Sequence, residues 1–325
     1  MMRADLHVHS RHSDTGRYAR AGLRDCYVLP GEIYDRARAS GMHLVTLTDL
    51  NTIDGCLALL GERGPLPDFV IGEEIEARFP DSGARVHLCA WGLTEARHRE
   101  IGRLRENAED LVRYLRAERV AFALSHFVSK APVGFPEASV YRRALEIFDA
   151  VEVRNGAQGR HYNALVASLA LGRDGGRRPV GFVGGSDAHT LRRVGTTWTE
   201  ADARTPAEFL DELRAGRTSA GGRVRGAADI FLDLASLTSS HYASIPSRLS
   251  GPGREGLFRV AADLPRQIVG VPLVGTILYF VKVRRQVRAM QREIAIVDLR
   301  EFRSRMRPYP RPARGPEGAG ESPRP

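Results

Sequence analysis

Asp5-Leu6-His7-Val8-His9-Ser10 lies almost at the N-terminus of this 325-residue chain and reads as a strand. Side chains two apart on a strand share a face, so His7 and His9 point the same way. Two imidazoles at one strand end form a ready pair of metal ligands, although H-x-H also occurs as ordinary polar residues on a half-exposed strand. The far end of the chain adds weight to the first reading. Gly185-Ser186-Asp187-Ala188-His189 repeats the spacing with a carboxylate and an imidazole. Between the two, Gly72-Glu73-Glu74-Ile75, Val86-His87-Leu88 and Leu124-Ser125-His126 each set a ligand type at the end of an apolar run.

The apolar share of 42% and charged share of 27% are those of a soluble globular protein. Net charge is +9, unevenly placed: from Arg248 onward 16 Arg and Lys face 7 Asp and Glu, which leaves residues 1–247 neutral. That argues against an extended nucleic-acid groove in the first part and leaves the C-terminal tail as the candidate for an anionic surface, membrane or nucleic acid. Cys26, Cys56 and Cys89 are an odd, scattered set without metal-finger spacing. A reducing, cytoplasmic setting fits them, and Met1-Met2-Arg3 runs into a strand with no room for a signal peptide.

Along the chain, strands are expected at 3–9, 43–49, 69–79, 85–91, 120–126, 150–154 and 179–187. Helices are expected at 31–40, near 52–60, in one long run over 95–118, and at 141–148, 159–171 and 206–216. Pro30 opens the first helix and Gly41 closes it. Pro80-Asp81-Ser82-Gly83 is the turn between the third and fourth strands. Alternating strands and helices over more than 200 residues predict a parallel α/β barrel. Residues 1–222 would form it, 223–307 a basic, partly helical extension, and 308–325 a disordered tail. Residues 230–264 show no clean period. Gly251-Pro252-Gly253-Arg254-Glu255-Gly256 formally satisfies G-x-G-x-x-G, but no strand precedes it, so it reads as a loop. The uncharged run 268–281 is too short to span a bilayer and reads as packing on the barrel, with interfacial membrane contact as the alternative.

On this frame His7, His9, Asp49, Glu74, His87, His126, Arg154-Asn155, Asp187 and His189 fall at the C-terminal ends of successive strands, where barrel active sites are built. Any one could be a satisfied core histidine or a capping carboxylate; so many at successive strand ends are hard to obtain by chance. Mixed imidazole and carboxylate donors without cysteine suit zinc, manganese or iron.

The motifs DLHVHS, TLTDLNTIDG, GEEI, RVHL, LSHF and GGSDAH, in this order over residues 3–220, resemble those of the PHP (polymerase and histidinol phosphatase) superfamily, in its metal-dependent phosphoesterase branch. The resemblance implies a distorted seven-stranded (β/α) TIM-like barrel that holds up to three metals and hydrolyses phosphoesters. It implies one metal on His7, His9, Glu74 and Asp187, and a second on Glu74, His87 and His126, with Glu74 bridging. A third would use Asp14, His189 and a histidine after Asp49. That position is Leu50, which has no lone pair, so two occupied divalent transition-metal sites and a weak or vacant third are expected.

The implied activity is hydrolysis of a phosphate ester, in a small molecule or a short nucleotide or oligonucleotide end, by metal-activated hydroxide. Glu74, Asp187 and His189 would be catalytic. Lys130, Arg154, Asn155 and Arg17 would hold the phosphorylated substrate, because cationic side chains offset phosphoryl charge. The alternative is a degenerate PHP domain that binds metal and a phosphorylated ligand without turnover.

Overall fold

Strand β4 (Arg85–Trp91) shows how the sequence builds the architecture. Val86, Leu88 and Ala90 join one apolar cluster, while Cys89 and Trp91 join another. The period-2 alternation thus sends one set outward under the helices and the other, with His87, into a barrel. β5 (Ala121–Ser125) does the same, with Phe122 and Leu124 outward and Ala121 and Ala123 inward. The computed structural model describes residues 1–13, 24–126, 138–171, 181–243, 281 and 306–307.

A curled six-stranded sheet runs in the order β2 (Val45–Leu47), β3 (Phe69–Arg78), β4, β5, β6 (Ala150–Asn155), β7 (Gly181–Gly185). The run Asp5 to His9 closes the gap between its edges. On one side Ala4 bridges Leu44 and the Val8 carbonyl accepts from Thr48 N at 2.8 Å. On the other, Val8 bridges Ala188, His9 N donates to the Ala188 carbonyl at 3.0 Å, and Asp187 N donates to that of His7 at 2.7 Å. The result is a distorted α/β barrel with DLHVH as its closing stave.

Helices α1 (Pro30–Ala39), α2 (Asp54–Arg63), α3 (Glu95–Leu104), α4 (Ala108–Ala117), α5 (Ala138–Ile147), α6 (Arg160–Leu171) and α7 (Pro206–Arg214) follow the strands. A second sheet pairs β1 (Met2–Ala4) with β8 (Thr197–Ala201), β8 with β9 (Ser219–Gly222), and β9 with β10 (Met306–Arg307). Helix α8 (Ala227–Ala243) lies beyond it.

The structure differs from the sequence expectation in several places. The sheet is mixed rather than parallel: β3 and β4 are antiparallel, as are β4 and β5. The tight turn at Pro80 to Gly83 is the reason for the first reversal, because a parallel pair needs a long crossover. The single helix over 95–118 is two, since the Asn107 side chain accepts from Glu109 N and Asp110 N and caps a fresh start. The strand expected from residue 3 ends as regular ladder at Ala4. Residues 230–243, expected to be without period, belong to α8. The loop at 251–256, the run 268–280 and the tail 308–325 lie outside the described residues.

α8 is fastened to the barrel by charge. Asp233 accepts from Thr190 Oγ1 and from Arg192 Nε, both at 3.0 Å, and Asp229 pairs with Arg192 at 3.0 Å. His241 Nδ1 meets the Tyr27 hydroxyl at 2.9 Å. No described helix is long and apolar enough to cross a membrane.

Candidate metal centre

The inward positions at the upper ends of the strands are polar where those below are apolar. Glu74 on β3 is fully buried, and His7, His9, His87, His126 and Asp187 are each at most 9% exposed. Glu74 is the hub. Its carboxylate stands 2.6 Å from His126 Nε2, 2.7 Å from His87 Nδ1, 3.4 Å from His9 Nε2 and 3.7 Å from His7 Nε2. Asp187 Oδ1 lies 3.3 Å from His9 Nε2 and 3.6 Å from His7 Nε2, and those two nitrogens are 3.1 Å apart. Two groups therefore offer convergent ligand atoms: His7, Glu74 and His126, and His7, His9 and Asp187.

This donor set fits a metal. Imidazole nitrogens and carboxylate oxygens crowd one buried point, and desolvated charges and lone pairs of this kind cost free energy unless a cation or protons join them. Burial pushes the Asp187 carboxyl up, but His7, His9, His126 and His189 outweigh it and hold the group well below the usual carboxylate range. Asp187 is thus ionised, as a ligand must be. It also adopts φ 48, in the left-handed region that Asp tolerates better than most residues, which turns its carboxylate back over His7 and His9. His87, on its other side, stands 3.4 Å from Glu76, and the hydrogen bond between them takes that carboxyl down to about 2 against the effect of burial.

Close approach of the staves needs glycine. A Cβ on Gly185 would stand 2.4 Å from His7 Cβ and 3.1 Å from Glu152 Oε1, so any larger residue would separate β7 from the closing stave.

His189 sits at the rim, 28% exposed. Its Nδ1 meets the Asp187 carbonyl at 3.0 Å and its Nε2 lies 3.8 Å from Asp25 Oδ2. Burial and the neighbouring His9 lower its pKa. Asp49 is spent on structure, accepting from Ser10 N and, at 2.6 Å, from Ser10 Oγ. Leu50 bridges Glu74 and donates its N–H to Ser13 Oγ at 3.1 Å. Asp14, Arg17 and Lys130 lie outside the described residues. Arg154 donates to the Gly222 carbonyl, after a register shift in β6 that turns it from Glu152. Asn155, expected against substrate, is fully buried beneath the cluster. Its amide nitrogen donates to Glu152 Oε2 at 2.9 Å and Asp187 Oδ2 at 3.2 Å, and its Oδ1 accepts from Ala157 N at 2.8 Å.

Sequence reasoning missed Glu152, Glu76 and Asp25. Glu152 is 2% exposed and meets His7 Nδ1 at 3.0 Å. The signal was present: in Val151-Glu152-Val153 the strand period puts both valines outside and the glutamate inside.

Comparison with known proteins gives three kinds of likeness. Residues 176–218 match the PHP-associated family. Over 54 residues the chain is 37% identical to an uncharacterized protein of Methanocaldococcus jannaschii; the match takes in 17% of this chain and spans about a third, 32%, of that protein's length. A two-domain protein from Bacteroides vulgatus, described as containing a predicted PHP-like metal-dependent phosphoesterase, is 18% identical at a TM-score of 0.46, over 74% of this chain and 69% of that one. An amidohydrolase from Chromobacterium violaceum, with bound sulfate and no metal, is 17% identical at a TM-score of 0.43, over 65% and 96% of the two chains.

Proposed function

We propose that this chain, which belongs to the PHP superfamily, is a metal-dependent hydrolase acting on the phosphate ester of a small molecule or of a nucleotide or oligonucleotide end. The observation that carries the reading is the pair of buried donor groups, His7–Glu74–His126 and His7–His9–Asp187, which share His7 at the barrel mouth. His87 would complete the first group and Glu74 would serve both ions. Zinc, manganese and iron all suit these donors. A bound divalent ion supplies Lewis acidity toward a phosphoryl oxygen and makes water a competent nucleophile near neutral pH.

The chain's own residues supply the rest. Glu74 and Asp187 hold negative charge at fixed positions in a dry site. His189, part-exposed and beside Asp25, is the proposed group for proton transfer at the rim. Arg17 and Lys130 are the proposed phosphate contacts, Arg154 being turned from Glu152 toward the Gly222 carbonyl, and the basic stretch from Arg248 is a proposed contact for an anionic surface.

The test is metal analysis of protein purified without chelator, then a screen of phosphorylated metabolites with Mn²⁺. About two ions per chain and turnover of at least one ester are expected, and no metal after growth with zinc and manganese would overturn the reading. Leu50 favours a second reading, a domain that binds metal and a phosphorylated ligand without turnover. Two bound ions with no hydrolysis across the same screen would select it.

A further inference from the structure

Below the cluster, Glu152 meets three polar partners. Its Oε1 is 3.0 Å from His7 Nδ1. Its Oε2 is 3.0 Å from His126 N and 2.9 Å from Asn155 Nδ2. A backbone N–H and an amide NH₂ can only donate, and an ionised carboxylate can only accept. The partner left to decide is His7. Facing a carboxylate, its Nδ1 carries a proton, and the lone pair of the neutral ring then stands on Nε2. Nε2 is the atom that faces His9, Glu74 and Asp187. His7 is also the residue common to both donor groups.

We infer that Glu152, braced by Asn155, is a positioning residue that fixes His7 in the tautomer a metal ligand requires. The inference rests on the metal reading under Proposed function. Asn155 extends the device, since one amide nitrogen spans Glu152 and Asp187 and sets the spacing between His7 and the carboxylate opposite it. Gly185 leaves the room in which His7 and Glu152 meet. Glu152 belongs to neither donor group, which separates holding a ligand from being one.

Glu152→Gln tests this at constant shape. An amide has one accepting and one donating end. With His126 N and Asn155 Nδ2 both donating at one end, the carbonyl turns to them and the NH₂ faces His7 Nδ1. His7 must then accept there, and its proton moves to Nε2, where it blocks the metal.

Zinc affinity, measured by competition with a chromophoric chelator, should fall by about 10- to 100-fold. The ¹⁵N shifts of His7 should show a proton on Nδ1 in wild type, with or without zinc, and on Nε2 in the variant. The melting temperature of the zinc-free protein should change little. A variant with unchanged zinc affinity overturns the inference, as does a wild-type spectrum with Nδ1 unprotonated or metal-bound. Should the variant not fold, the wild-type spectra decide alone. A wild type that takes up no zinc overturns the metal reading instead, and the zinc-free spectrum, recorded at a pH high enough for the His7 ring to be neutral, still judges the tautomer.

Discussion

The same strands build two opposite environments inside one barrel. At the lower end Leu6, Cys89, Trp91, Ala121, Ala123 and Val183 pack as an apolar plug, tied across by Trp91 Nε1 donating to the Leu6 carbonyl at 3.1 Å. One or two positions up the same staves stand His7, His87 and Glu152. The lower end stabilises the fold with no help from solutes. The upper end is a set of desolvated charges that stability alone would not select. The two ends should therefore answer differently to mutation and to metal.

The largest effect belongs to the plug. Trp91→Ala removes a large side chain that is 1% exposed and strands the Leu6 carbonyl. The expected loss is about 3–5 kcal/mol. Urea denaturation should report the same loss with metal and with chelator. A loss confined to the metal-loaded protein would mean that the two ends are not separable.

The next effect belongs to the cluster. Metal binds the folded state, so titrating zinc into chelator-treated protein should raise the melting temperature, by the equivalent of about 2.7 kcal/mol at a hundred times Kd. Glu74→Ala removes the group that contacts His7, His9, His87 and His126, so that rise should vanish while the zinc-free protein keeps its stability or gains some. Protons compete for the same imidazoles. Burial lowers His7 and His9, but neighbouring acidic groups outweigh it and raise both. Because Asp187 stays ionised, affinity should therefore begin to fall above the ordinary histidine range of about 6.5 as pH drops. A zinc-dependent melting rise that survives Glu74→Ala would place the metal elsewhere.

The contrast also explains what was legible in the sequence. His7, His9, Glu74, His87, His126, Asp187 and His189 stand out because histidine and acid at strand ends break an apolar pattern, and the structure brings them together. Glu152 sits inside a strand between two valines, where one acid reads as an exposed alternate position. Only the assignment of inside and outside for the whole barrel reveals it as inward. Asn107 lies inside the run expected as one helix over 95–118, and the helical spacing of Leu104, Leu111 and Leu115 across it masks its capping signal. The direction of β5 was not legible, since the helical segment before it permits either sense, and β8, with Thr197, Trp198 and Thr199, had strand composition that went unused.

The smallest effect, and the sharpest test of how far the polar end extends, is at Leu50. The rim here differs from the rest of the cluster: His189 and Asp25 face each other at 3.8 Å, and Leu50 offers its backbone to Ser13 but no donor side chain. Its backbone bridges Glu74, so a histidine at this position would enter the wall of the existing centre. Leu50→His should add about one ion per chain at millimolar Mn²⁺, read by metal analysis, because imidazole joins His189 and a carboxylate as a third ligand. Leu50 is only half-buried, so the unmetallated imidazole should cost less than the roughly 1–3 kcal/mol of a fully buried polar group. Unchanged metal content with a loss of stability larger than that would mean the position has been repacked as part of the apolar structure. The boundary between the two environments would then run through β2 rather than above it, and a two-ion centre would be complete as it stands.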